Sequence, residues 1–245
     1  MWMKRMRLAS LALIIVAATS CGSVENREES SQSRTETCKE IVEWVDFLMI
    51  NNVKYSYNYD GTKEVTEEQL GEKVGEVSYM LNEHACSGHV SKNGDAAYLP
   101  VGTEIYALKG YKPEFRVAAG NKIYQAGDNP NAATMKDLLD IDGKVDKVSL
   151  VSGMDGSLLG DFSAEASSAF IRELLPLPYE GFDAIYEKTK HESGIFLRIH
   201  LKDGTSFRMV YYAKGNGFTA GAFGTDRLQE LILSERQRIK SAVAG

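Results

Sequence analysis

The chain lacks most of the signatures that announce a reaction. It has no glycine-rich phosphate loop and no G-x-S-x-G elbow. Asp155-Gly-Ser157 lacks the run of oxygen ligands that a calcium loop needs. Lys and Arg are scattered without a cluster, which excludes the basic patch of a nucleic-acid binder. No carboxylate pair stands in an apolar setting that would raise a pKa. No apolar run is long enough for a permanent membrane-spanning helix. Cysteine is scarce at three residues, an odd number for an exported chain.

What is present describes a globular protein. Of the 245 residues, 43% are hydrophobic and 25% charged, and the formal net charge is −6. The most informative stretch is Leu11-Ala-Leu-Ile-Ile-Val-Ala-Ala-Thr-Ser-Cys21, preceded by Lys4, Arg5 and Arg7. A basic start, a short apolar segment and small residues before a cut site make a secretory signal, assigned to residues 1–20. With Cys21 at the cut, the segment resembles the signal of a bacterial lipoprotein. Thr19, Ser20 and Cys21 fit the family's ending, and Ala18 stands where the family mostly has Leu. The resemblance implies a diacylglycerol on the Cys21 sulfur, a lipid-anchored protein facing out of the cytoplasm, and the membrane as a partner through that anchor. Cysteine parity agrees, since lipidation of Cys21 leaves Cys38 and Cys86 as an even pair. Removal of the signal and its three positive side chains takes the formal charge from −6 to −9. An acidic exterior adds no attraction to anionic lipid.

Residues 21–37 read as a tether. Gly22 to Thr37 holds one aliphatic residue and no aromatic, and such a spacer has a typical end-to-end distance of about 20–25 Å. Beyond it the pattern predicts an α+β fold in two parts, a β-rich subdomain over 38–130 and an α+β subdomain over 131–245. In the first part a strand is expected from about Asp46 to Tyr55, overlapping the alternating Lys54 to Tyr59. A one-turn helix follows at the capping box Thr66-Glu-Glu-Gln69, then a strand from Gly75 to Leu81, a broken pair from Ala96 to Leu108 and a hairpin bending at Ala118 to Asn121. In the second part, Asp128-Asn-Pro-Asn131 breaks the pattern, and 132–141 reads as a short helix or a connection. A strand runs from Lys144 to Val151. Ser163 caps a helix ended by Pro176. Gly194 to Lys202 and Ser206 to Tyr212 form a hairpin around Asp203-Gly204, and Thr225-Asp226 opens a final helix. Gly102-Thr-Glu-Ile-Tyr106 and Gly110-Tyr-Lys-Pro-Glu-Phe-Arg116 resemble stretches of Gram-positive cell-surface lipoproteins of no assigned activity, which implies the same lifestyle and no reaction.

One constellation has the residue types for chemistry, His84-Ala-Cys86-Ser-Gly-His89. Two imidazoles and a thiol can ligate zinc or copper, with Cys38 as a fourth donor, although the spacing matches no standard finger. Outside the cytoplasm two remaining cysteines favour a disulfide, and Cys38–Cys86 is the expected bridge. His200, at the parity of Arg198 and Lys202, reads as a surface histidine of the hairpin's polar face. Ser152 to Ser157 reads as a polar loop. Tyr55, Tyr57 and Tyr59 share one strand face, either covered core or a contact strip. The expected function is a membrane-anchored, non-catalytic module that binds an envelope protein, a polymer or a small ligand, with no cofactor and no nucleic acid. The alternatives are an exported enzyme whose site is assembled from distant residues and a metal carrier using His84, Cys86 and His89.

Overall fold

Period-two alternation and tight turns generate most of the architecture, which the computed structural model describes for residues 42–244. The first half forms β1 (Phe47–Ile50), β2 (Val53–Tyr57), β3 (Leu70–Glu76), β4 (Tyr79–Met80), β5 (Asp95–Ala96), β6 (Glu104–Leu108), β7 (Arg116–Ala119) and β8 (Lys122–Asp128). They make one sheet in the order β3-β6-β7-β8-β2-β1-β5-β4, antiparallel except for the short β4–β5 pair. The edge strand β3 carries Lys73, paired with Glu76 at 2.7 Å and Glu104 at 2.9 Å, and such charges discourage edge-to-edge association.

The strand expected over Asp46 to Tyr55 is instead a hairpin. Asn51 (φ 51°) and Asn52 (φ 62°) both adopt left-handed backbone and close a two-residue turn between β1 and β2. Asparagine tolerates that conformation, and a turn with two positive φ values matches the twist of the flanking strands. Gly120 and Asn121 do the same between β7 and β8. The capping box at Thr66 and Gln69 forms, around a single 3-10 turn at Glu67–Gln69. The chain then enters β3 directly, so the strand expected from Gly75 starts earlier and ends at Glu76.

The second half contributes α1 (Met135–Leu138), β9 (Val145–Val151), β10 (Leu158–Asp161), α2 (Ala164–Leu174), α3 (Phe182–Thr189), β11 (Ile195–Leu201), β12 (Ser206–Tyr212), β13 (Gly217–Phe218), β14 (Ala222–Phe223) and α4 (Asp226–Ala244). Its sheet runs β10-β9-β11-β12-β13-β14, antiparallel throughout. In β11, Ile195, Leu197, Ile199 and Leu201 are buried and alternate with half-exposed residues. They share a core with Phe170 and Leu174 of α2 and Leu228 and Ile232 of α4. Each such side chain, fully buried, contributes about 1.5–3 kcal/mol. Ser163 Oγ caps α2 by accepting from the Ala166 N–H at 3.0 Å, and Thr225 Oγ1 accepts from Leu228 N–H at 3.1 Å. The sequence pattern misses α3, which begins at Gly181 without a side-chain cap and buries Ile185 and Thr189. The fold class is α+β, a β-rich first half followed by a sheet packed by helices.

Of the contacts that join the sheets, two groups stand out. Arg116 on β7 is fully buried, and its Nε and Nη2 donate to Gln125 Oε1 of β8 at 2.9 and 2.8 Å. Its Nη1 donates at 2.8 Å to Thr205 Oγ1, in the turn between β11 and β12. The rings of Tyr111, Phe115 and Phe207 lie 5.0, 5.0 and 5.8 Å from the guanidinium carbon. The second contact is the turn after β2. Asp60 Oδ2 meets Arg198 Nη2 at 2.9 Å and Arg208 Nε at 2.8 Å, and the Ser206 N–H donates to the Gly61 carbonyl at 2.6 Å. A Cβ on Gly61 would stand 1.9 Å from the Ser206 carbonyl oxygen, so this approach requires glycine.

Replacing Arg116 by alanine strands Thr205 and Gln125 and empties a volume under three rings. The expected loss is about 3 kcal/mol, or about 6–12 °C of melting temperature for a domain of this size. Arg116→Met, which keeps most of the stem, should lose less. An alanine variant that melts with the wild type would show that the junction does not depend on this side chain.

Candidate functional site

A groove of about 710 Å³ lies between α1, the 142–146 segment and α2. Local sequence builds each wall. Thr134 caps α1 and exchanges bonds with Asp137, whose carboxyl these bonds hold below its ordinary pKa. The chain leaving α2 runs beside α1, with the Met135 and Lys136 N–H groups donating to the Leu177 and Leu175 carbonyls at 2.9 Å. The groove lies between these elements. Its floor is apolar, made by Val145, Ile171, Leu175 and Pro176, and its rim carries Lys136, Asp142, Asp146, Arg172 and Lys202.

The polar groups of the lining are mostly engaged. Lys136 Nζ meets Asp142 Oδ2 at 2.7 Å, which raises the lysine pKa and lowers the aspartate's. Lys202 Nζ donates to the Gly143 carbonyl at 2.7 Å. Ser167 Oγ accepts from the Val148 N–H at 3.1 Å, and Ser168 Oγ donates to the Ala164 carbonyl at 2.9 Å. The lining contains neither histidine nor cysteine, and its carboxylates are Asp142, which bonds Lys136, and Asp146. A smaller cavity of about 280 Å³ adjoins through the shared residues Gly143 and Lys202 and reaches Tyr111 and Asp203. Tyr111 Oη donates to Asp203 Oδ2 at 2.6 Å. Burial, then this bond, raises the tyrosine pKa. Burial opposes ionisation of Asp203, but the bonds from Tyr111 and Thr205 prevail and hold its pKa low.

The residues singled out by sequence lie elsewhere. Cys21 and Cys38 are outside the described residues. Cys86 is engaged and not free. His84 and His89 both contact the Tyr79 ring, His84 edge-on at 6.4 Å and His89 stacked at 5.5 Å. His84 Nδ1 donates to the Asn82 carbonyl at 2.8 Å. His89 Nε2 donates at 2.7 Å to Asp95 Oδ2, which also accepts from the Lys92 N–H at 2.9 Å. Among the described residues Asp95 Oδ1 is buried without a partner, and these two donors compensate a covered carboxylate. Among the described residues no group of three His, Cys, Asp or Glu side chains is placed to hold a metal ion. The tyrosines do not form one strip: Tyr55 is core, Tyr57 packs 5.8 Å from Tyr124, and Tyr59 is exposed, its Oη accepting from Arg208 at 3.2 Å. Ser152 to Ser157 is a loop in which Asp155, its pKa lowered to about 2 by bonds from Ser152 and Ser157, closes an Asx turn.

A polar chain that the sequence does not reveal crosses the open face of the second sheet. Ser149 Oγ donates to Asp161 Oδ1 at 2.7 Å and accepts from His200 Nε2 at 2.9 Å, and Lys147 Nζ meets Asp161 Oδ2 at 2.7 Å. The order is the reverse of a catalytic triad. The serine donates to the acid, its proton is not drawn by the imidazole, and its side chain is buried. His200 is thus half-buried, where the parity reading expects a free surface histidine.

A comparison of the chain with family models, curated proteins and solved structures finds no match.

Burial, then the charges of Lys147 and Arg198, push the His200 pKa below its ordinary value near 6.5. The unfolded chain therefore takes up this proton at a higher pH than the folded one. The stability linked to His200 is present above pH ~6.5 and declines as pH falls towards the folded pKa. Melting temperatures at neutral and mildly acidic pH should fall less steeply for His200→Gln than for the wild type. Equal slopes would contradict the assignment.

Proposed function

We propose that this protein is a bacterial lipoprotein held outside the cytoplasm by lipid on Cys21, and that its folded part is a non-catalytic module binding a small molecule in the groove between α1 and α2. The groove is the observation that carries the binding half of this reading. Ligand sites typically occupy ~300–1,000 Å³, with apolar walls and a few placed polar groups, and the groove has this size and this distribution. Its serine hydroxyls are bonded to backbone groups and that of Thr134 to its capping partner Asp137, which favours binding over acyl or phosphoryl transfer. A polymer would need a long open track, whereas this site is a single concavity. The anchoring half rests on the signal architecture of residues 1–21. One acyl chain binds membranes marginally, so a diacylglyceryl group suits lasting attachment.

The Cys38–Cys86 bridge belongs to the same proposal. It would close a loop of about 48 residues and stabilise the fold by about 4 kcal/mol on chain-entropy grounds. Thiol counting on the denatured, unreduced chain should find neither residue free, and two free thiols would remove the bridge.

Cys21→Ala should leave the protein unprocessed or release it to the medium in a cell-fractionation experiment. A variant that stays membrane-bound and correctly processed would refute the anchor without touching the groove.

A further inference from the structure

We infer that the groove selects a small anionic amphiphile, with a carboxylate or phosphate head held by Arg172 and Lys202 and an apolar body lying on Val145, Ile171 and Leu175. This deepens the binding reading above and rests on it. The argument starts from the charges at the rim. Five ionic side chains line the groove, three cationic and two acidic. Lys136 and Asp142 neutralise each other at 2.7 Å, leaving Arg172 and Lys202 opposed by Asp146 alone.

Among the described residues, Lys202 has no carboxylate within ion-pair distance and Arg172 has only a long one. The nearest acid to Arg172 is Glu173 at 4.0 Å, and Glu173 is drawn to Arg227 at 3.3 Å. Among the described residues the Lys202 ammonium bonds the neutral carbonyl of Gly143. The chain carries a formal charge of −6, so a lining with a surplus of positive charge runs against its average. A cationic ligand would be repelled by that surplus, and a neutral one would gain nothing from it. An anion gains charge-assisted hydrogen bonds from both donors, with a fork geometry on the arginine that suits carboxylate and phosphate alike.

The floor sets the rest of the ligand. Ile171 and Leu175 belong to the main core, with their outer surfaces turned into the groove. A free inorganic anion would leave this apolar floor wet. An alkyl or ring body covers it, and the volume admits such a body together with a head group.

The test uses the chain without residues 1–21, which retains every described residue. Titration calorimetry with octanoate, octyl phosphate, octan-1-ol and inorganic phosphate reads head and body separately. Amide NMR shifts at Val145, Ile171 and Leu175 locate the binding. The expected result is that octanoate or octyl phosphate binds at least about tenfold more tightly than octanol, an advantage that shrinks with added salt. The preferred head distinguishes the carboxylate source from the phosphate source. The double variant Arg172→Gln, Lys202→Gln should bring the anion down to the octanol affinity, and Ile171→Trp should block all the octyl probes. Equal binding of octanoate, octyl phosphate and octanol would overturn the anion selectivity while leaving a ligand groove in place. Inorganic phosphate binding as well as octyl phosphate would overturn the amphiphile. No binding of any probe, with Ile171→Trp indistinguishable from wild type, would overturn both the inference and the groove's role.

Discussion

A guanidinium buried without a carboxylate in contact is the constraint on which the two-sheet arrangement depends. Burial lowers the Arg116 pKa, the direction expected when a charge is withdrawn from water. The ion is tolerated because Gln125 and Thr205 accept its hydrogen bonds and three aromatic rings present their faces or edges nearby. These partners come from both sheets, so the charge is satisfied only when the sheets meet in this register. The arrangement disfavours alternatives more than it adds stability, since a buried ion at best recovers most of its desolvation cost. Phe115, the residue before Arg116, belongs to the core of the second sheet and packs 6.0 Å from Phe207. Hydrophobic burial thus supplies the attraction, and the arginine supplies the selection.

The same junction positions the groove. Thr205, which accepts from Arg116, shares a tight turn with Asp203, which bonds both Thr205 and Tyr111. Lys202 is the preceding residue, and its N–H donates to the Lys144 carbonyl while its ammonium reaches Gly143. The rim is therefore tied to the buried arginine through four consecutive residues, 202–205. Gly204, at φ 82°, makes the turn that brings them round. The Asp60 contact fixes the other end of the same hairpin face through Arg198 and Arg208. The hairpin is thus held from two sides, which fixes the place of Lys202 on the rim.

Local pattern made much of the fold legible. The β11–β12 hairpin was readable because strict alternation buries one face and Asp203-Gly204 turns between equal runs. The caps at Ser163 and Thr225 were readable because each side chain sits beside the N–H groups it accepts from. The β1–β2 turn was not, since Asn51-Asn52 interrupts an apolar stretch that otherwise reads as one buried strand. Arg116 gave no local warning either. Its partner Thr205 is 89 positions away, and an arginine beside a phenylalanine looks like any surface pair. The groove was equally silent, because its lining comes from α1, β9, α2 and the β11–β12 turn, each locally unremarkable.

The histidines show why residue type misleads where placement decides. His84, Cys86 and His89 have ligand chemistry at short spacing, yet folding points the two imidazoles at separate oxygens, each ring in contact with Tyr79. Asp95 relies on His89 as a hydrogen-bond donor, because the carboxylate is fully covered and among the described residues one of its oxygens lacks a donor. Recruiting His89 to a metal would turn Nε2 away from Asp95 or strip its proton, leaving the carboxylate with the Lys92 N–H alone. That cost falls on β5, which pairs with β1 and holds the edge of the first sheet. The short-range motif is thus tied to the stability of its own sheet. Charged and apolar side chains meet instead in the groove, whose lining comes from distant segments.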